Sequence, residues 1–146
     1  MNVPIPRIVA ALGGEALLKR RVKHELDLMD VVSDGLPMES LTYLQKNLGF
    51  TNKTMSHILA MSESTYQRRI RANAKLTKDE TEKAIALTEV YEKGIDVFEG
   101  QEAFREWLTD RIPSLQNRRP IDLLDSILGR KQVMNVLNAI LHGIYL

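Results

Sequence analysis

Apolar residues recur along this chain with the spacing of amphipathic helices, and glycines and prolines interrupt the pattern at short intervals. In the stretch PMESLTYLQKNLG, Leu41, Leu44 and Leu48 fall on one helical face. Pro37 stands where the first residue of that helix is expected, and Gly49 stands where the helix should end. Few windows alternate with period two, and β-branched runs are absent. The pattern predicts an all-α protein of nine or ten helices with short connections.

Glycines also set the predicted helix ends in the second half of the chain. Gly94 closes LTKDETEKAIALTEVYEKG, Gly129 closes PIDLLDSILG, and Gly143 closes RKQVMNVLNAILHG. The break around Gly94 favours a boundary between two helical domains. We expect an N-terminal domain of residues 1–95 and a C-terminal domain of residues 96–146.

The middle of the chain predicts a helix-turn-helix over residues 51–71, formed by two short helices around a tight turn. The small Ser56 suits the point where the second helix crosses the first, Ser62 is a good N-cap, and Tyr66 is an apolar anchor. Ala60 departs from the usual pattern, since glycine is commoner at the turn. The arrangement predicts a second helix that enters the major groove of DNA.

The net charge of +1 conceals three blocks of opposite sign. Residues 41–75 have six basic side chains and one acidic, residues 76–110 have four basic and ten acidic, and residues 111–146 have five basic and two acidic. The first basic block coincides with the helix-turn-helix, which favours nucleic acid as its partner. The alternative for each block is an ordinary solvated helix face.

Polar and basic side chains on the second helix of the motif, with one near the start of the first, are the predicted DNA contacts. Ser, Thr and Gln reach base edges or phosphates, and Arg reaches either. These predicted DNA-binding residues are Lys53, Ser64, Thr65, Gln67, Arg68 and Arg71. A helical hairpin with a basic face and no DNA partner is the alternative.

No pattern in the chain predicts catalysis, a metal site or a cofactor. There is no cysteine, and His24, His57 and His142 are far apart with no ligand-spaced neighbours. No glycine-rich loop follows a predicted strand, so no phosphate site is expected. The start lacks the features of a secretory signal, and no apolar run approaches the roughly 20 residues of a membrane span. We expect a non-enzymatic, cytoplasmic protein without a membrane partner.

Several stretches, in order along nearly the whole chain, resemble the Xre/MbcA/ParS antitoxins. They include ALGGEALL, DLMDVVSDGLPMESLTYLQKNLGF, STYQRRI and LTKDETEKAIALTEVYEKGIDVFEG. The most specific part runs from Trp107-Leu108 through Pro113-x-Leu115 and Arg119-Pro120-Ile121-Asp122 to Gly129 and Gly143. The resemblance implies an N-terminal helical region with a Cro/Xre-like helix-turn-helix, followed by a small C-terminal helical toxin-binding domain.

The resemblance also implies a function and partners. Such antitoxins are encoded beside a RES-domain toxin that destroys NAD, and they occlude the substrate pocket of that toxin. The complex often represses its own promoter through the helix-turn-helix. The implied partners are therefore a cognate RES-domain toxin, operator DNA, and further copies of the antitoxin in a dimer or larger assembly.

The C-terminal residues are the predicted toxin contacts, because an apolar end without chemistry suits a plug and its basic side chains suit an acidic surface. This predicted set is Arg118, Arg119, Asp122, Arg130, His142, Gly143, Ile144, Tyr145 and Leu146. We expect the last three residues and the terminal carboxylate to enter the toxin's cleft. The alternative is that Tyr145 and Leu146 pack on the protein's own core.

A second function stays open on the sequence alone. The chain could be a stand-alone helix-turn-helix transcriptional regulator whose C-terminal region serves for dimerisation. A RES-domain gene in the neighbouring reading frame would distinguish the antitoxin from this regulator.

Overall fold

The computed structural model describes residues 3–143, over which the chain forms α-helices, short 3₁₀ helices and no β-strand. In chain order the nine α-helices of this range are α1 (Ile5–Ala11), α2 (Gly14–Leu18), α3 (Glu25–Asp34), α4 (Met38–Leu48), α5 (Asn52–Ile58), α6 (Glu63–Ala72), α7 (Lys78–Phe98), α8 (Gln101–Thr109) and α9 (Ile127–Leu141). Two 3₁₀ helices, Pro113–Leu115 and Pro120–Leu123, lie between α8 and α9. The predicted all-α fold class is confirmed.

Residues 1–89 and residues 90–146 form two compact units. The predicted apolar face of α4 lies in the core of the first unit, where Leu41 and Leu44 are fully buried and Leu48 is 2% exposed. Burial of each such side chain stabilises the fold by roughly 1.5–3 kcal/mol relative to exposure. The pattern of the sequence was therefore a good guide to this core.

The connection between α3 and α4 is tied to the segment that leads into α7. Leu36 N–H donates to the Thr81 hydroxyl at 2.9 Å, and the Leu36 carbonyl accepts from Leu76 N–H at 2.9 Å. Gly35 has a φ of +91°, and a Cβ there would lie 2.2 Å from the Leu76 carbonyl oxygen. Gly35 is thus required both by its backbone conformation and by the close approach of this segment.

Aromatic rings form the centre of the second unit. The ring centroid of Trp107 lies 5.4 Å from that of Phe98 and 6.2 Å from that of Phe104. Such spacings are typical of favourable offset or tilted ring pairs. Trp107 is 8% and Phe104 is 1% exposed, so both rings belong to the buried core of this unit.

Gly94 does not end a helix, contrary to the prediction. Helix α7 continues past it to Phe98. A Cβ on Gly94 would lie 2.3 Å from the ring of Phe104. The glycine is explained by this close approach of α8 to α7, and it marks no stop in the backbone.

Gly129 is likewise wrong as a helix end. Helix α9 begins at Ile127, and the Ser126 hydroxyl accepts a hydrogen bond from Gly129 N–H at 2.9 Å as its N-cap. Gly129 thus lies in the first turn, where a Cβ would come within 1.9 Å of the Leu123 carbonyl oxygen. The predicted end at Gly143 is confirmed by its φ of +75° directly after α9.

Candidate functional sites

The helix-turn-helix of the first unit is built from α5 and α6, each of which begins at a side-chain cap. The Thr51 hydroxyl accepts from Thr54 N–H at 3.1 Å at the start of α5. The Ser62 hydroxyl accepts from Thr65 N–H at 3.1 Å at the start of α6. These caps satisfy amides that a helix start leaves unpaired. The predicted pair of short helices is confirmed.

The turn between the helices follows α5 directly and has the hydrogen bonds of a Schellman motif. Ala60 N–H donates to the His57 carbonyl at 3.0 Å, and Met61 N–H donates to the Ser56 carbonyl at 3.0 Å. Ala60 has a φ of +59°, a left-handed conformation that disfavours residues with a Cβ. The unusual alanine noted in the sequence therefore occupies the strained position of the turn.

Helix α6 is held in place by Tyr66, which is fully buried. Its hydroxyl donates to the side-chain oxygen of Gln45 in α4, and burial raises the pKa of this hydroxyl above its usual value. Gln45 in turn donates to the Phe50 carbonyl at 3.1 Å. This chain of hydrogen bonds fixes the rotation of α6 and thereby the side chains it turns to solvent.

Among the predicted DNA contacts, Ser64, Arg68 and Arg71 are exposed along one face of α6. Lys53 is exposed near the start of α5. The other two predicted residues, Thr65 and Gln67, are half-buried, and the Thr65 hydroxyl accepts from Ser62 within the helix cap. The structure thus brings four of the six to solvent on the motif.

Arg69 lies between predicted DNA contacts in the sequence, but its side chain forms an ion pair within the first unit. Its guanidinium donates to the Glu80 carboxylate at 2.5 Å, and Thr77 N–H donates to the same carboxylate at 2.9 Å. Burial alone would raise the pKa of Glu80, but the bonds from Thr77 and Arg69 outweigh burial and hold that pKa below its usual value. Thr77 and Glu80 form a capping box at the start of α7. The ion pair of Arg69 with Glu80 removes this arginine from the basic face.

In the second unit, two of the predicted toxin contacts pair with each other. Arg119 donates through Nε and Nη2 to the two carboxylate oxygens of Asp122, each at 2.9 Å. The hydrogen bond to Asp122 raises the pKa of Arg119. Arg118 is exposed, and its guanidinium donates to the Gln116 side chain at 2.7 Å.

Arg130 departs from the prediction of an exposed basic contact. Arg130 is only 8% exposed, and its guanidinium donates a hydrogen bond to the Leu124 carbonyl at 3.0 Å. Burial lowers the pKa of Arg130. The physical reason is the early start of α9, which turns this position towards the preceding segment. His142 and Gly143 are exposed, whereas Ile144, Tyr145 and Leu146 lie outside the described residues.

The first turn of α9 presents two aliphatic side chains that are not among the predicted toxin contacts. Ile127 is 81% exposed and Leu128 is 66% exposed. Leu128 also lines a groove of about 350 Å³, together with Leu115, Arg118 and Leu123. The sequence signal for this helix start is Ser126, whose hydroxyl caps the amide of Gly129. That signal competes with the reading of Gly129 as a helix end, and the contact of Gly129 with the Leu123 carbonyl decides between them.

Over residues 3–143, no group of three or more side chains is arranged to hold a metal ion. No helix in this part of the chain is long and apolar enough to cross a membrane.

The architecture defines the chain as a helix-turn-helix protein with an additional compact helical unit. Residues 27–88 match the antitoxin Xre-like helix-turn-helix domain. Residues 93–143 match the antitoxin Xre/MbcA/ParS C-terminal toxin-binding domain. The two matches together span most of the chain, and the protein belongs to the Xre/MbcA/ParS antitoxins.

Two relatives are similar to this chain along most of their length. Antitoxin Xre of Photorhabdus laumondii is 27% identical over 115 residues, which cover 78% of this chain and 78% of the relative. The Prs ADP-ribosylating antitoxin of a Sphingobium species is 26% identical over 129 residues, which cover 82% and 81%. Both are named as antitoxins.

A solved structure has the same fold. The chain superposes on a component of the M. tuberculosis MbcT-MbcA toxin-antitoxin complex with a TM-score of 0.58 and 18% sequence identity. The superposition covers 73% of this chain and 94% of that one. This likeness supports the all-α fold, while the two family matches confirm the resemblance stated from the sequence and the order of a helix-turn-helix followed by an antitoxin domain.

Proposed function

We propose that this antitoxin binds and neutralises a RES-domain toxin that degrades NAD, and that it represses its own operon through the helix-turn-helix. The observation that carries the first part is the correspondence between the toxin-binding match at residues 93–143 and the compact unit of residues 90–146. A unit with its own aromatic core can present a preorganised surface, which lowers the entropy lost on binding.

The choice of an NAD-degrading toxin is supported by the resemblance and by the name of one relative. The Sphingobium antitoxin is named for ADP-ribosylation, a reaction in which NAD supplies the ADP-ribose group. Occlusion of an NAD site by a partner protein needs complementary shape and burial, without catalytic groups on the partner. The proposed contacts that follow α9 are His142, Gly143, Ile144, Tyr145 and Leu146.

The test of neutralisation is co-expression with the product of the adjacent reading frame, with growth and cellular NAD as readouts. The full-length chain should preserve both. A chain that lacks residues 143–146 should fold, as judged by circular dichroism, and should lose protection of NAD. Full protection by the shortened chain would show that these residues do not occlude the toxin. Absence of any toxic neighbour would favour the stand-alone regulator with a C-terminal dimerisation domain.

Operator binding is proposed from the face of α6 that Ser64, Arg68 and Arg71 share. Basic side chains on this face would neutralise phosphates and release counterions, so binding should weaken as salt rises. Arg68→Ala should weaken binding to the promoter of the operon and reduce the slope of log K against log salt by about 1.

A matched control is available for this measurement. Arg21 is also an exposed arginine of the first unit, outside the helix-turn-helix. Arg21→Ala removes the same charge and should leave both the affinity and the salt slope nearly unchanged. Equal effects of the two substitutions would mean that α6 is not the DNA-contacting helix.

A further inference from the structure

The exposed pair Ile127 and Leu128 is the most solvent-accessible aliphatic pair within the described part of the second unit. Single exposed aliphatic residues are common on protein surfaces. Two adjacent ones at 81% and 66% exposure form a small apolar patch. Leu128 also lines a groove of about 350 Å³, most of whose other lining residues are polar.

The position of this pair is rigidly determined. The Ser126 hydroxyl caps Gly129 N–H at 2.9 Å, which sets the residue at which α9 begins. Gly129 allows the first turn to approach the Leu123 carbonyl so closely that no Cβ would fit. Arg130 adds a hydrogen bond to the Leu124 carbonyl at 3.0 Å. The two side chains are therefore held in solvent by contacts of their immediate neighbours.

The surroundings of the pair indicate the chemistry of its partner. Arg118 lines the groove and is exposed, and Lys131 is exposed one turn after Ile127. Asp125 is exposed two residues before Ile127, and the other nearby acidic residue, Asp122, is paired with Arg119. An apolar centre with a mainly basic rim is complementary to an apolar patch bordered by acidic residues.

We propose that Ile127 and Leu128 are the anchor by which this domain docks on its toxin, against an apolar patch bordered by acidic side chains. The partner is the toxin because the pair lies within the toxin-binding match of residues 93–143. The proposal rests on the proposed function and deepens it. Docking by the first turn of α9 is distinct from occlusion by residues 143–146, because α9 spans 15 residues, or roughly 22 Å at 1.5 Å per residue.

The experiment measures the Kd of full-length variants for the purified product of the adjacent reading frame. Ile127→Asp places a carboxylate at the first position of α9, where the helix dipole favours it, so the fold should be retained. Buried interface anchors typically weaken binding by at least about 30-fold when they are lost. We expect Ile127→Asp and Leu128→Glu each to have an effect of that size, and Ile127→Ala to have a smaller one of about tenfold.

Ala103→Asp is the matched control, because Ala103 is an exposed residue in the first turn of α8 in the same unit. It adds the same charge, likewise in the first turn of a helix, and should change Kd by less than about threefold. Circular dichroism checks that each variant is folded.

The outcomes separate the two proposals. If the wild-type chain binds and neutralises the neighbour while Ile127→Asp and Ile127→Ala bind equally well, the anchor is wrong and the antitoxin function stands. If the wild-type chain does not bind the neighbour, the proposed function fails and the anchor fails with it. Weak binding by Ala103→Asp would also contradict the anchor, since charge alone would then explain the loss.

Discussion

Replacement of Ala60 by glycine should stabilise the protein. Helices α4, α5 and α6 are each followed by a residue of left-handed conformation: Gly49 at φ +71°, Ala60 at φ +59° and Asn73 at φ +50°. At each position the left-handed residue donates its N–H to the carbonyl three residues earlier, and the next residue donates to the carbonyl five residues earlier. Glycine and asparagine are the usual residues at such positions. Alanine at the helix-turn-helix is the exception, and its Cβ is strained there.

The magnitude follows from two opposing terms. A Cβ in the left-handed region costs roughly 1–2 kcal/mol, and the greater freedom of glycine in the unfolded chain cancels roughly 0.5–1 kcal/mol of the relief. Ala60 is exposed, so little packing is lost with its methyl group. The net gain in the free energy of unfolding should be roughly 0.5–1 kcal/mol, which raises Tm by about 1–4 °C for a chain of this length.

Thermal and urea unfolding of the full chain at neutral pH measure this gain. Ala10→Gly is the control, since Ala10 is exposed within α1 and lacks a left-handed conformation. It should lose roughly 0.5–1 kcal/mol. A loss of stability in Ala60→Gly comparable to that of Ala10→Gly would refute the strained turn. Operator affinity should be unchanged, because the turn is held by backbone hydrogen bonds.

Three further substitutions test other contacts by equilibrium unfolding. Gly129→Ala should destabilise the second unit by roughly 3 kcal/mol, because its Cβ would meet the Leu123 carbonyl at 1.9 Å; stabilisation by better helix propensity would refute this. Ser40→Ala should stabilise by roughly 1 kcal/mol, since the buried Ser40 hydroxyl has no partner among residues 3–143; a loss would indicate an unseen partner. Glu80→Gln should cost roughly 1–2 kcal/mol at neutral pH. Because the pKa of Glu80 is lowered in the folded state, this contribution is present above its ordinary value of 4.5 and is lost as pH falls through the folded pKa; a difference independent of pH would contradict the ion pair.

The elements predicted correctly from the sequence are those whose causes are local. The cap at Ser62 was predicted from residue type and position, and the structure confirms it. The caps at Thr51 and Thr77 follow the same local rule, since each hydroxyl accepts a hydrogen bond from the amide three residues later. The leucine face of α4 was readable from its period. Arg69 could not be separated from its neighbours, because its partner Glu80 is supplied by the next helix.

The exposure of the predicted contact residues could be foreseen where its cause is local and not where it depends on a tertiary contact. Exposure of Arg68 follows from the period of α6 once Tyr66 is identified as the buried anchor. Burial of Arg130 depends on where α9 begins, and that start combines the Ser126 cap with the close approach of Gly129 to the Leu123 carbonyl. The DNA and toxin contacts themselves stay predictions.

One tertiary contact explains both the wrong helix end and the candidate docking surface. With Gly129 as a stop, Ile127 and Leu128 would close a helix that begins at Pro120, and their apolar side chains would be expected in the core. With Gly129 packed on Leu123, they instead open α9 and point away from the core, at 81% and 66% exposure. A glycine required for close packing and a glycine required for a left-handed turn are the same residue type, so the sequence alone does not distinguish the two cases. Gly129, which was mistaken for a helix end, is therefore the residue that keeps Ile127 and Leu128 exposed. Gly129→Ala should consequently lower the stability of the protein. Ile127→Asp should instead weaken toxin binding and leave the stability unchanged.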